Sequence, residues 1–186
     1  PKGTPKKMSA LLDAALFPGI QGGPHMHSIA GKAVAFGEAL EPAFRTYAEN
    51  VIRNARALAQ ALIERGYTVL TGGTDNHIVL LDLRSKGLTG RDAETLLEEA
   101  GITVNKNLIP YDPQPPLKAS GIRLGTPALT TRGFGEEDFR RVAAWIDAVL
   151  SHSGDAELRR QVREEIRAYL EAFPLPYPPT GVVPVR

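Results

Sequence analysis

The chain has 186 residues, of which 42% are hydrophobic and 23% charged, the composition of an ordinary globular protein. Its 22 basic and 21 acidic residues give a net charge of +1, which argues against a polyanion such as nucleic acid as the main partner. The absence of cysteine excludes disulfides and favours a cytoplasmic location, and no apolar run approaches the roughly 20 residues that a membrane span needs.

Glycine and proline dominate the first distinctive stretch, FPGIQGGPHMH from Phe17 to His27. Five of the seven residues from Pro18 to Pro24 belong to these two types. Such a loop either shapes the tight start of a helix or lets backbone N–H groups approach an anion such as phosphate. The residues alone leave both interpretations open.

His25 and His27 in the same stretch do not predict a metal site. They are two residues apart, so a helix would point them in different directions. No carboxylate or cysteine lies close by in the sequence to complete a ligand set. Helix-start packing or hydrogen bonding is the expected role of both.

Two helices are predicted next. Residues 28–40 carry apolar side chains at helical spacing, diluted by small residues, which is typical of a helix packed closely against neighbours. From Pro42 to Arg65 an apolar stripe at i, i+3, i+4 and i+7 continues up to Gly66, which predicts a long amphipathic helix.

Strands and a short helix follow. Runs rich in β-branched residues predict strands at 67–70 and 77–83, joined by a loop. Thr89 and Asp92 resemble a capping box, which predicts the start of a helix that ends at Gly101. Short strands are predicted at 102–105 and 122–124, and helices at 139–150 and 158–173, before a proline-rich end expected to be extended.

This order of elements predicts a small α+β domain, a short sheet covered by helices, over residues 39–186. Residues 1–38 are interpreted as the end of another domain.

The loop at 106–120, between the last two predicted strands, contains four prolines and no apolar periodicity. Compact domains seldom carry a loop of this kind unless it binds something.

Two polar features flank that loop. Arg123 lies between Ile122 and Leu124, so on a strand its side chain points away from theirs, and its planar guanidinium suits a carboxylate. The alternative is a surface arginine on an edge strand. At the mouth of the loop, the stretch 105–107 (Asn-Lys-Asn) offers amide and ammonium donors that could bind a polar heterocycle, although asparagine is also a common turn residue.

Four ordered segments together resemble the serine hydroxymethyltransferase family. They are FPGIQGGPHMHSIAGKAVAFGEAL, GGTDNH, ITVNKN and SGIRLGTPALTTRGF, and the likeness runs from about Leu16 to Leu150. The resemblance implies a fold type I pyridoxal-phosphate transferase, an α/β protein. Residues 1–38 would be the end of its large cofactor-binding domain and residues 39–186 its small C-terminal α+β domain.

The resemblance also implies site residues and partners. Gly22 and Gly23 would bind the phosphate of pyridoxal 5'-phosphate in the neighbouring subunit, so the active enzyme would be a homodimer, possibly paired into a tetramer. Arg123 would hold the α-carboxylate of serine or glycine. Asn107 would contact the pteridine ring of tetrahydrofolate, and the same pocket would be lined by Pro115, Pro116 and Leu117.

One departure from the family pattern concerns catalysis. The family's Schiff-base lysine lies in a threonine-rich stretch ending in His-Lys-Thr, and no such stretch occurs in these 186 residues. Lys2, Lys6 and Lys7 lie in a different context. The expectation is therefore that this chain has no catalytic residue of its own and depends on a missing N-terminal half.

Two other functions remain open from the sequence. One is a different fold type I pyridoxal-phosphate enzyme, such as a folate-independent aldolase acting on β-hydroxy amino acids. The other is a binding or dimerisation module without catalysis. The loop after Asn107 argues for folate, because a folate-independent enzyme would not need it.

Overall fold

The computed structural model describes residues 7–176 of the chain. Internal contacts divide the chain into two units, Pro1–Phe44 and Arg45–Arg186. The assignment of residues 1–38 and residues 39–186 to two different domains of a larger fold stays a prediction. Most of the proline-rich end, residues 177–186, for which an extended backbone is predicted, lies outside the described residues.

The first unit contains two helices, and none of its residues from 7 to 44 is buried. Helix α1 spans Met8–Ala14, a run of good helix formers that the sequence analysis does not predict. A π-helical segment, Ala15–Ile20, follows and is broken by the extended backbone of Phe17. Helix α2 spans Met26–Ala39 and confirms the helix predicted at 28–40.

The second unit is built on a four-stranded antiparallel sheet with the order β1-β2-β4-β3. The strands are β1 Thr68–Val69, β2 Ile78–Asp82, β3 Asn105–Asn107 and β4 Gly121–Gly125. Three of the predicted strands are confirmed. The strand predicted at 102–105 is wrong except at its last residue, because Ile102 and Val104 pack into or against the core instead of pairing with β4.

Five helices complete the described fold. Helix α3 confirms the long predicted helix, and α4 begins with the predicted capping box, in which the Asp92 amide donates to Thr89 Oγ1 and the Thr89 amide to Asp92 Oδ2. Helix α5, which begins with Pro127 at its first turn, is not predicted. The five helices are α3 Pro42–Glu64, α4 Gly90–Glu99, α5 Pro127–Thr131, α6 Glu136–Ser151 and α7 Ala156–Leu170.

The two faces of the sheet differ. One face is buried by Val79, Leu81, Ile122 and Leu124, which share a core with side chains of the helices. The fully buried members of that core from helices include Leu62, Leu97, Phe139 and Ile146. The opposite face, which carries Arg123, is only partly covered.

Candidate functional site

Arg123 lies at the centre of β4, and its neighbours fix the direction of its side chain. Ile122 and Leu124 are buried, whereas Arg123 is exposed. Successive residues of a strand point to opposite faces of the sheet, so the guanidinium lies on the face away from the core. The strand position predicted for Arg123 is therefore confirmed, while its role stays a prediction.

The Arg123 guanidinium makes no hydrogen bond or ion pair within residues 7–176. Other arginines of the second unit are bound to protein groups. Arg84 grips both carboxylate oxygens of Asp82, with N–O distances from 2.7 to 3.1 Å, and Arg132 Nε donates to the carbonyl oxygen of Phe173 at 2.8 Å. Arg123 alone of these three therefore keeps its planar donor fork available for a carboxylate.

An open cavity of about 390 Å³ lies around Arg123. Asn105 is the residue directly opposite Arg123 in the β3–β4 register, so its side chain lies on the same face. Residues of β2, β3, β4 and the segment before β3 form the walls. They are His77, Ile78, Thr103, Val104, Asn105, Arg123, Leu124 and Gly125.

Asn107 lies on the same face of the sheet as Arg123. Asn105 pairs with Arg123 and Asn107 pairs with Gly121, so Asn107 is two residues further along β3, a distance of about 7 Å. Its half-buried side chain donates from Nδ2 to the carbonyl oxygen of Leu108 at 2.7 Å. The second amide proton and the side-chain oxygen have no such contact, so the group keeps both donor and acceptor capacity.

Lys106 does not add to this site. It pairs with Ile122 in the register, which places its side chain on the opposite face of the sheet. Its ammonium nitrogen lies 2.7 Å from Glu94 Oε2 on α4, and that contact lowers the pKa of Glu94. The ammonium donor suggested at the mouth of the loop is thus engaged elsewhere, and that suggestion is wrong.

The loop between β3 and β4 presents the three residues expected to line a folate pocket. Pro115, Pro116 and Leu117 are all exposed, and Leu117 is 76% exposed. The amide of Lys118 donates to the carbonyl oxygen of Pro115 at 2.9 Å, which closes a tight turn over these residues. Their contact with a ligand stays a prediction.

Asp112 organises this loop, although no sequence pattern singled it out. Its carboxylate accepts hydrogen bonds from the amides of Ile109, Gln114 and Ser120 and from the Ser120 hydroxyl. The bond from the amide two residues further on is an Asx turn. An aspartate followed by proline inside a proline-rich loop was the available signal.

Gly22 and Gly23 lie in the loop before α2, in the first unit. Both are exposed, and a Cβ atom added to either would meet no atom within 4 Å. Within residues 7–176 their amides make no hydrogen bond, whereas the Gln21 amide donates to Leu16. Free amides before the N-terminus of a 14-residue helix are a donor set that fits a phosphate.

Within residues 7–176 no group of three or more histidine, cysteine, aspartate or glutamate residues could hold a metal ion. His25 and His27 face each other edge to face, with ring centroids 5.5 Å apart. No helix in this part of the chain is long and apolar enough to cross a membrane.

Comparison with known families identifies the chain as related to pyridoxal-phosphate enzymes of fold type I. The family model described as serine hydroxymethyltransferase matches residues 1–146. The match covers well over half of the 186 residues, and the chain belongs to the serine hydroxymethyltransferase family. The resemblance inferred from the four sequence segments is thus confirmed.

Proposed function

We propose that the chain is the C-terminal part of a serine hydroxymethyltransferase. That enzyme reversibly transfers a hydroxymethyl group between serine and tetrahydrofolate, giving glycine and 5,10-methylenetetrahydrofolate. Family membership supports the class of reaction. Within the chain, the observation that carries the proposal is the guanidinium of Arg123, which has no partner within residues 7–176 and shares a sheet face with Asn107.

The second unit would bind both substrates. Arg123 would bind the α-carboxylate of serine or glycine through two parallel hydrogen bonds and thereby fix the orientation of the amino acid. Asn107 would bind the pteridine ring of tetrahydrofolate through its amide group. The exposed stretch of Pro115, Pro116 and Leu117 would cover the apolar part of that ligand.

The first unit would contribute to a neighbouring active site. The free amides of Gly22 and Gly23 fit the phosphate of pyridoxal 5'-phosphate, and we assign them to the cofactor of the other subunit of a homodimer. Pyridoxal phosphate, when bound, supplies an electron sink for negative charge at the substrate Cα. The Schiff-base lysine would lie upstream of this chain, and residues 1–38 would complete the large domain of a cytoplasmic enzyme.

Replacing Arg123 with lysine in the full-length enzyme tests the carboxylate site. Lysine keeps the charge but loses the planar fork, so we expect the KM for serine and the Kd for glycine to rise at least about tenfold. The exposed Arg167 on α7, which also has no partner within residues 7–176, provides the control variant Arg167→Lys. Equal saturation curves for wild type and Arg123→Lys would contradict the assignment.

The response of the cofactor spectrum to tetrahydrofolate separates the proposal from its alternatives. Added to the glycine complex of the full-length enzyme, tetrahydrofolate should change the absorbance of the bound cofactor, and Asn107→Ala should abolish that change without loss of glycine binding. A wild-type glycine complex that ignores tetrahydrofolate would indicate a folate-independent aldolase. A full-length protein that binds no pyridoxal phosphate would indicate a module without catalysis.

A further inference from the structure

The carboxylate of Asp112 joins the two ends of the loop between β3 and β4. Its Oδ2 atom accepts from the amides of Ile109 at 3.1 Å and Ser120 at 2.8 Å. Its Oδ1 atom accepts from the amide of Gln114 at 2.8 Å and from Ser120 Oγ at 2.6 Å. All four hydrogen bonds are thus made by one ionisable group, and they connect residues near the start, middle and end of the loop.

Apolar packing cannot account for the shape of this loop. Of residues 108–120 only Ile109, Ala119 and Ser120 are buried. Tyr111 is fully exposed and Leu117 is 76% exposed. With so little buried surface, the conformation depends on the hydrogen bonds that close the loop.

The backbone of the loop is also strained at two places. Tyr111 and Ala119 have φ angles of 56° and 53°, in the left-handed region that residues other than glycine rarely adopt. These two residues lie on either side of the segment 115–117. The hydrogen bonds from the amides of Ile109 and Ser120 to Asp112 lie close to these two residues in the chain, and they favour the closed loop against this strain.

We propose that Asp112 is a positioning residue that holds Pro115, Pro116 and Leu117, in the loop that follows Asn107, in the conformation that receives tetrahydrofolate. The inference rests on the proposed function. It extends that function because Asp112 itself does not touch the ligand: both of its oxygen atoms are occupied by the loop. The residue would therefore affect folate binding and leave the amino-acid site at Arg123 unchanged.

The charge of Asp112 keeps this closure in place at neutral pH. Desolvation acts to raise its pKa, but the hydrogen bonds from the Ser120 hydroxyl and from the amides of Gln114, Ile109 and Ser120 outweigh it and hold the pKa well below the usual range. Hydrogen bonds to an ionised acceptor are stronger than those between neutral groups. The closed loop is therefore the resting state expected before folate binds.

Replacing Asp112 with asparagine in the full-length enzyme tests the proposal. The asparagine amide group donates, so at most one of the two oxygen positions can still accept. Loss of two charge-assisted bonds should raise the KM for tetrahydrofolate about tenfold or more. The KM for serine should stay within about twofold of wild type. Hydrogen exchange should become faster at the amides of Ile109, Gln114 and Ser120.

Two further variants keep the test decisive. Ser120→Ala removes only the hydroxyl donor and should raise the KM for tetrahydrofolate by a smaller factor, which also decides the question if Asp112→Asn does not fold. Asp138→Asn is the matched control, because this carboxylate on α6 likewise accepts bonds, from the Gly135 amide and the Tyr169 hydroxyl. It should lower the thermal midpoint without a selective change in the KM for tetrahydrofolate.

The outcomes separate this inference from the proposed function. An unchanged KM for tetrahydrofolate in Asp112→Asn, or an equal rise in Asp138→Asn, would overturn the positioning role while the wild-type enzyme still used tetrahydrofolate. A wild-type enzyme that does not use tetrahydrofolate would instead overturn the proposed function.

Discussion

The two units of the chain differ most in what they bury. None of the residues from 7 to 44 is buried, whereas residues 45–176 contain every buried side chain of the described structure. The first unit still forms two helices, whose backbone hydrogen bonds join residues close together in the sequence. The second unit has a core of its own, so its fold is specified by contacts between elements distant in sequence.

The exposed surface of the first unit is strongly apolar. Exposed apolar side chains in such numbers are typical of an interaction surface. Under the proposed function, we expect the upstream part of the enzyme and the neighbouring subunit to cover it. The exposed large apolar residues of this unit are Met8, Leu11, Leu12, Leu16, Phe17, Ile20, Met26, Ile29, Val34, Phe36, Leu40 and Phe44.

Truncating one phenylalanine in each unit should show the largest difference. Phe139 is 1% exposed and Phe36 is 69% exposed. In the 186-residue chain, Phe139→Ala should lower the free energy of unfolding by about 3–5 kcal/mol, because it leaves a cavity in the core. Phe36→Ala should change it by less than about 0.5 kcal/mol. Urea denaturation followed by circular dichroism measures both.

The effects of Phe139→Ala and Phe36→Ala should also be measured in the full-length enzyme. There the cost of Phe36→Ala should rise above about 1 kcal/mol, because a covered phenylalanine loses packing when it is truncated. A cost that stays the same in both contexts would show that the surface around Phe36 is not covered.

A glycine in each unit gives the next largest contrast. A Cβ at Gly121 would clash with the carbonyl oxygen of Leu81 and lie 2.8 Å from Ile109 Cγ2, so Gly121→Ala should destabilise the second unit by about 2–3 kcal/mol. A Cβ added at Gly37, inside α2, would meet no atom within 4 Å. Gly37→Ala should favour the helix by about 1 kcal/mol, measurable as increased helix content. A free energy of unfolding left unchanged by Gly121→Ala would contradict the close approach of the strands at Gly121.

Acid should weaken the second unit by a smaller amount. The pKa of Asp112 is lowered in the folded state, so its ionised form favours folding. This stabilisation is present at neutral pH and is lost as the pH falls below about 4, the usual aspartate value, towards the folded pKa. The charged groups near Asp112 are Asp82 and Arg84. Arg84 lowers the pKa of Asp82 and Lys106 lowers the pKa of Glu94, so the ionised forms of these two carboxylates also favour folding.

The variant Asp112→Asn measures how much the Asp112 carboxylate contributes to the loss of stability in acid. Its free energy of unfolding should be lower than that of wild type by about 1 kcal/mol at pH 7, and the difference should narrow as the pH falls below about 4 towards the folded pKa of Asp112. Chemical denaturation at several pH values measures the difference. A gap that persists unchanged at pH 3 would show that the carboxylate charge does not contribute.

Periodicity and local signals predicted most elements of the second unit. The apolar stripe predicted α3, and the sequence Thr-Gly-Arg-Asp predicted the capping box of α4. The position of β3 was not predictable, because β-branched side chains at 102–104 suit either a strand or a core-facing turn, and only pairing with β4 decides between them. Helix α1 was not predicted because its apolar residues Met8, Leu11 and Leu12, although at helical spacing, extend over only seven residues.

The candidate site was predictable in part. Alternation of buried and exposed residues gave the direction of Arg123, because that property is local to one strand. The function of Asp112 was not predictable, since it depends on three amides and a hydroxyl that only the closed loop brings to one carboxylate. Likewise, nothing local in the sequence tells that Lys106 pairs with Glu94 while Arg123 pairs with no residue from 7 to 176.

The amino-acid sequence by itself determined the family, most of the helices and strands and the residue types offered to a ligand, because local spacing and side-chain chemistry carry that information. The tertiary structure decided which of those groups are free to bind. That choice depends on strand register and loop closure, in which residues far apart in the chain compete for the same hydrogen bonds.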